Sequence, residues 1–130
     1  MPVWKTVPMA DTNRFDRGAA VLDQLFGFRP TSEQTTDDFA RVTIENLFGD
    51  VWSRPGLALR DRSLATVAAL TVLGREQELR QHLGGALRLG ITREQIREVM
   101  LHLAHYGGWP VAVMGLRVAG ELFAAADKPS

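Results

Sequence analysis

The chain has 130 residues, 45% of them hydrophobic and 23% charged, with a formal net charge of zero. That is enough chain for one globular domain with a real core, and basic residues scattered among acidic ones give no pull toward nucleic acid or an anionic membrane. It contains no cysteine, which excludes disulfides, thiolate nucleophiles and cysteine-ligated metal centres.

The opening MPVWKTVPMADTNRF lacks the charged-then-apolar plan of a signal peptide. No apolar run is expected to approach the roughly 20 residues needed to span a bilayer, and a cysteine-free chain of this kind is expected in the cytoplasm. Residues 1–12 carry two prolines and little periodicity, and predict an N-terminal arm whose Trp4 packs on its own subunit or a neighbour. The helical signals begin at Asn13, an N-cap type ahead of Phe15, Ala19, Leu22 and Phe26 on one face, with Gly27 as the stop. The polar connector FRPTSEQTTDD leads to a second helix that starts near Asp37 or Asp38 and runs through Phe39, Val42 and Leu47 to Gly49. Pro55 and Gly56 then mark a turn.

Asp61 or Ser63 is expected to cap a third helix, SLATVAALTVLG, which is apolar nearly all round and so expected to be buried on most sides. Gly74 ends it. A fourth helix places Leu79, His82, Leu83, Ala86 and Leu87 at three- and four-residue spacing and ends at Gly90. Thr92 and Gln95 fit a capping box for a fifth helix with Ile96, Val99, Met100 and Leu103 inward. Gly107 and Gly108 break it, and Pro110 suits the first turn of a last helix, VAVMGLRVAGELFAAA. No strand-like alternation intervenes. The prediction is an all-α domain of about six to seven helices over residues 13–126, with a short tail at 127–130.

Several segments resemble the carboxymuconolactone decarboxylase family. They are FGDVWSRPGL at 48–57, Arg62–Ser63–Leu64, Leu73–Gly74–Arg75–Glu76, His82 with Gly85–Ala86–Leu87, and the stretch from His102 to Pro110. Arg14–Phe15–Asp16–Arg17–Gly18 is similar too, so the resemblance covers about residues 13–125. It implies an AhpD-like helical fold that assembles as a homo-oligomer, a trimer or hexamer. One branch removes CO₂ from γ-carboxymuconolactone without metal or organic cofactor. The other resembles alkylhydroperoxidase AhpD, which uses a C-x-x-C-x-x-x-H motif. With His82 as the histidine of that motif, the cysteine positions fall on Arg75 and Glu78, and the acidic relay position falls near Ser63. Peroxide reduction of that type needs a thiolate that becomes sulfenic acid and then a disulfide, so this chain cannot perform it.

Decarboxylation of an unsaturated lactone acid calls for cations to hold carboxylates and an acid to protonate carbon. His82 is the leading candidate acid, since it shares the apolar stripe of its helix; the alternative is a core histidine bonded to a backbone carbonyl. Glu78 stands one turn earlier and is placed to orient the ring, or else forms an ordinary surface pair. His102 and His105 lie three apart on one helix, with His105 favoured for a pocket or an interface. Arg54 and Arg62 flank the Pro–Gly turn and suit carboxylate binding, the alternative being surface ion pairs with Asp50 or Asp61. Asp50 itself reads as a proton acceptor or a salt-bridge partner, and Tyr106 and Trp109 as core, subunit or substrate contacts. No metal set is recognisable, and no cofactor is expected. The connector FRPTSEQTTDD departs from the histidine-containing stretch of pathway decarboxylases. That departure keeps two other functions open: a tailoring or isomerising enzyme on another cyclic or quinone-like substrate, and a non-enzymatic small-molecule-binding oligomer.

Overall fold

A computed structural model describes residues 13–129, and the expectations for the arm and Trp4 lie outside them. The described residues form six α-helices and no strand, as the periodicity predicts and in keeping with an AhpD-like fold. The chain divides into two compact units, one ending at Gly56 and the other beginning at Leu57.

The first unit contains α1 (Arg14–Phe26) and α2 (Asp38–Val42), which continues without a break into a π-helical segment, Thr43–Trp52. The Asp37 side chain accepts the Ala40 N–H at 3.0 Å and so starts α2. Gly27 closes α1 in the left-handed conformation, its N–H donating to Asp23 O at 2.9 Å. Asn13 holds the N-cap position as expected, though its side chain makes no capping hydrogen bond. In the π segment Ile44, Phe48 and Trp52 turn inward four residues apart, together with Gly49. Phe39, Val42 and Leu47 of the predicted second helix stay exposed.

α1 and the π segment touch backbone to backbone. A Cβ on Gly18 would strike the Ile44 carbonyl, and one on Gly49 would strike the Arg14 carbonyl. Only glycine permits that approach. The Arg14 guanidinium then reaches Asp50, with Nε at 3.1 Å and NH2 at 2.8 Å from Oδ2, and also bonds Asn46. Arg17 adds a longer contact to Asp50 at 3.4 Å and one to the Gly49 carbonyl at 3.3 Å.

The second unit contains α3 (Leu59–Val72), α4 (Glu76–Arg88), α5 (Arg93–Gly107) and α6 (Trp109–Asp127). Leu79, Leu83, Ala86, Ile96, Met100, Val118 and Phe123 meet in one apolar core. α3 corrects two expectations. It starts at Leu59 after Ala58, so neither Asp61 nor Ser63 caps it: Asp61 lies in the first turn and Ser63 in the interior. Ser63, Val67 and Thr71 follow at four-residue spacing and form its one buried stripe, while Val72 and Leu73 remain exposed. Being apolar all round does not bury this helix on most sides within its own unit. Its β-branched threonines are accommodated by bonding back one turn, Thr66 Oγ1 to Arg62 O at 2.8 Å and Thr71 Oγ1 to Val67 O at 2.7 Å.

The predicted capping box forms in full, with Gln95 N to Thr92 Oγ1 at 3.0 Å and Thr92 N to Gln95 Oε1 at 2.9 Å. Gly108, at φ 102°, separates α5 from α6, and Pro110 lies in the first turn of α6. Contrary to the sequence expectation, α6 is long and apolar enough by length and composition to cross a membrane. Its inner face, Ala112, Gly115, Val118, Ala119 and Phe123, is buried. Its Glu121 pairs with Arg80, and its Arg117 with Glu76, both on α4. That is the pattern of a helix packed against protein. Arg93 and Arg97 lie over the Phe123 ring at 4.9 and 5.2 Å from its centre.

Candidate functional site

α4 carries the leading candidate. Its turns place Leu79, Leu83 and Ala86 fully inside, and His82 falls on the edge of that stripe, half-buried. The inward orientation follows from the three- and four-residue spacing. Burial strips water from the imidazole and holds its pKa below the ordinary histidine range. Glu78, one turn earlier, is exposed, and no hydrogen bond joins it to His82. Desolvation by burial sets the direction of the His82 shift.

The remaining candidates lie outside α4. His105 is exposed, its Nδ1 lies 2.9 Å from the Leu101 carbonyl, and its ring meets Trp109 edge-on at 5.4 Å. His102 is exposed and lies 4.9 Å from Tyr106, ring to ring. Trp109, Val113 and Leu116 continue an exposed apolar face along α6. Arg62 is half-buried at the start of α3 and donates from Nε to Leu57 O at 3.1 Å. Arg54 is exposed, with its backbone N–H on Val51 O, and belongs to the other unit. Asp50 is the carboxylate that Arg14 and Arg17 share, which realises the salt-bridge reading of that residue with partners other than Arg54. Among the described residues no three His, Asp or Glu side chains gather as a metal set would.

Two features escaped the sequence. Ser63, 0% exposed on α3, has a hydroxyl with no hydrogen-bond partner among the described residues. Its neighbours Thr66 and Thr71 both bond back to the helix, so this one hydroxyl stands out in a helix that packs on α4. The second feature is a groove between α3 and α5 in which only His102 of the candidates takes part, beside Arg60, Gln95 and Glu98. Arg60 and Gln95 are 35 residues apart in the chain, and no local pattern pairs them.

Comparison with known proteins identifies the architecture. The family model described as "Carboxymuconolactone decarboxylase family" matches residues 37–121. The chain is 36% identical over 121 residues to the 4-carboxymuconolactone decarboxylase of Acinetobacter baylyi, covering 88% of this chain and 90% of that protein. It is 33% identical over 110 residues to nitrosuccinic acid decarboxylase npaB of Metarhizium robertsii, covering 80% and 77%. An uncharacterized 15.0 kDa protein from the nqo9–nqo10 intergenic region of Paracoccus denitrificans is 33% identical over 87 residues, or 65% of each chain. With a family model and a 36%-identical relative that both span most of its length, the chain belongs to the carboxymuconolactone decarboxylase family.

Proposed function

We propose that this enzyme of the carboxy-lyase type removes CO₂ from 4-carboxymuconolactone or a related lactone acid, with His82 as the acid that protonates carbon. The observation that carries the reading is the near full-length match to a protein named for that reaction. The second decarboxylase relative narrows the chemistry. Both named substrates are succinic acids that bear an electron acceptor, an unsaturated lactone in one and a nitro group in the other, so loss of the carboxylate on the acceptor-bearing carbon is the one that the substrate itself stabilises. The C–CO₂⁻ bond breaks, its electron pair enters the acceptor, and one proton is returned to the carbon framework. In the lactone the pair passes through the ring double bond to the carbonyl oxygen, and the proton is delivered to the ring carbon beside that carbonyl. The substrate carries its own electron sink, so the reaction calls for no cofactor.

His82 suits the proton transfer because its partial burial keeps competing water away. A depressed pKa makes the imidazolium a stronger acid, and a dianionic substrate nearby supplies the opposite charge that keeps it protonated. In this scheme Glu78 and His105 assist His82, while Arg62 and Trp109 contact the substrate's carboxylates and ring. The exposed apolar face of Leu101, Tyr106, Trp109, Val113 and Leu116 supports assembly into a homo-oligomer, a trimer or hexamer, through the outer side of α5 and α6. Neither nucleic acid nor membrane is a partner in this reading, and the absence of cysteine suits the cytoplasm. Incubating pure protein with 4-carboxymuconolactone and measuring released CO₂ tests it. Turnover is expected, and a rate no higher than in buffer overturns the proposal.

A further inference from the structure

The groove between α3 and α5 encloses about 490 Å³, within the range that small-molecule sites occupy. Leu64 and Ala68 of α3 and Val99 and Leu103 of α5 form its apolar lining, and Arg60, Gln95, Glu98 and His102 supply its polar groups. The polar groups are arranged by the helices themselves. Arg60 NH2 donates to Gln95 Oε1 at 2.9 Å, and the same oxygen accepts the Thr92 N–H at 2.9 Å as half of the α5 capping box. One glutamine therefore closes the helix end and fixes a guanidinium beside it. The first turn of α5 adds the positive end of a 15-residue helix to that cation. Among the described residues Arg60 makes no ion pair, so its charge stays available to an anion. His102 lies seven residues beyond Gln95, roughly 10 Å along the axis at 1.5 Å per residue. Glu98 lies between them and discourages a second negative charge.

We propose that this groove binds a cyclic or aromatic monocarboxylate. Its carboxylate rests on Arg60, its ring lies over Leu64 and Val99, and an oxygen at its far end meets His102. His82 does not line the groove, so the site is distinct from the acid on α4 and does not rest on the decarboxylase reading.

The probe is 4-hydroxyphenylacetate, titrated calorimetrically against the full chain alongside its neutral amide and phenylacetate. The acid is expected to bind at least tenfold more tightly than the amide. Arg60→Met should lose at least tenfold in affinity for the acid, with Arg60→Lys intermediate, and the exposed position of Arg60 leaves the fold intact by circular dichroism. His102→Ala should weaken 4-hydroxyphenylacetate and leave phenylacetate unchanged. Equal binding of acid and amide overturns the proposal, as does wild-type affinity in Arg60→Met. No binding of the acid, the result if a second copy of the chain covers the groove, overturns it as well. His82→Gln should bind the probe normally even if it abolishes decarboxylation.

Discussion

Each of the two compact units is held together internally by its own physics. In the first, α1 and the π segment approach until glycine meets backbone, and an arginine–carboxylate cluster of Arg14, Arg17 and Asp50 fastens them. In the second, four helices bury a continuous apolar core around Leu79, Leu83, Ile96 and Met100. The difference changes the meaning of the segments that carry the family resemblance. Arg14 to Gly18 and Gly49–Asp50, which a motif search would pass to chemistry, form a structural clasp. The functional candidates other than Arg54 lie instead in the second unit, on helices whose sequences look like ordinary core.

That contrast can be broken by substitution. Leu83→Ala empties the centre of the second core and should cost about 3 kcal/mol, read from the urea midpoint and slope. A loss below about 1 kcal/mol would mean that the core there collapses freely. Gly18→Ala should cost about 2 kcal/mol, since the added methyl meets a backbone carbonyl that cannot step aside. If Gly18→Ala is neutral, the backbone contact is looser than described and the clasp rests on Arg14–Asp50 alone.

Ser63→Ala should have the opposite sign. Removing a buried hydroxyl that has no partner is expected to raise stability by about 1 kcal/mol. A gain in melting temperature accompanied by loss of decarboxylation would show that Ser63 is held in strain for the reaction. A loss of stability would show that the hydroxyl is satisfied in solution.

His82 offers the subtlest comparison. Its folded pKa lies below the unfolded value near 6.5, so the unfolded chain takes up a proton that the folded chain resists. The stability linked to neutral His82 is therefore complete above about pH 6.5 and declines as pH falls toward the folded pKa. Across thermal midpoints from pH 8 to pH 5, wild type should fall relative to His82→Gln as pH drops. A constant difference would mean that burial does not shift this group.

Local chemistry made much of the fold legible. Gly27, Gly74, Gly90 and Gly108 all take positive φ where the sequence signals a helix end, and Thr92 with Gln95 forms the predicted box. Long-range contacts were not legible. Nothing around Gly18 names Ile44 as the atom group it must admit, and nothing around Asp50 selects Arg14, 36 residues away, over nearby Arg54. α3 shows the limit of periodicity: a helix apolar on every side does not say which stripe its own unit covers, and the buried stripe includes a serine and a threonine. Among the candidates, His82 is read from the spacing on α4, whereas Arg60 needed the packing of α3 against α5 to appear.

In the proposed reaction a half-buried histidine on α4 returns the proton in a decarboxylation that needs no thiol. Single-turnover CO₂ release from 4-carboxymuconolactone by wild type and His82→Gln tests it most directly. A general acid contributes on the order of 10²–10⁴ in rate, so the variant should keep its fold and slow at least 100-fold. A variant that releases CO₂ as fast as wild type would show that His82 is not the acid.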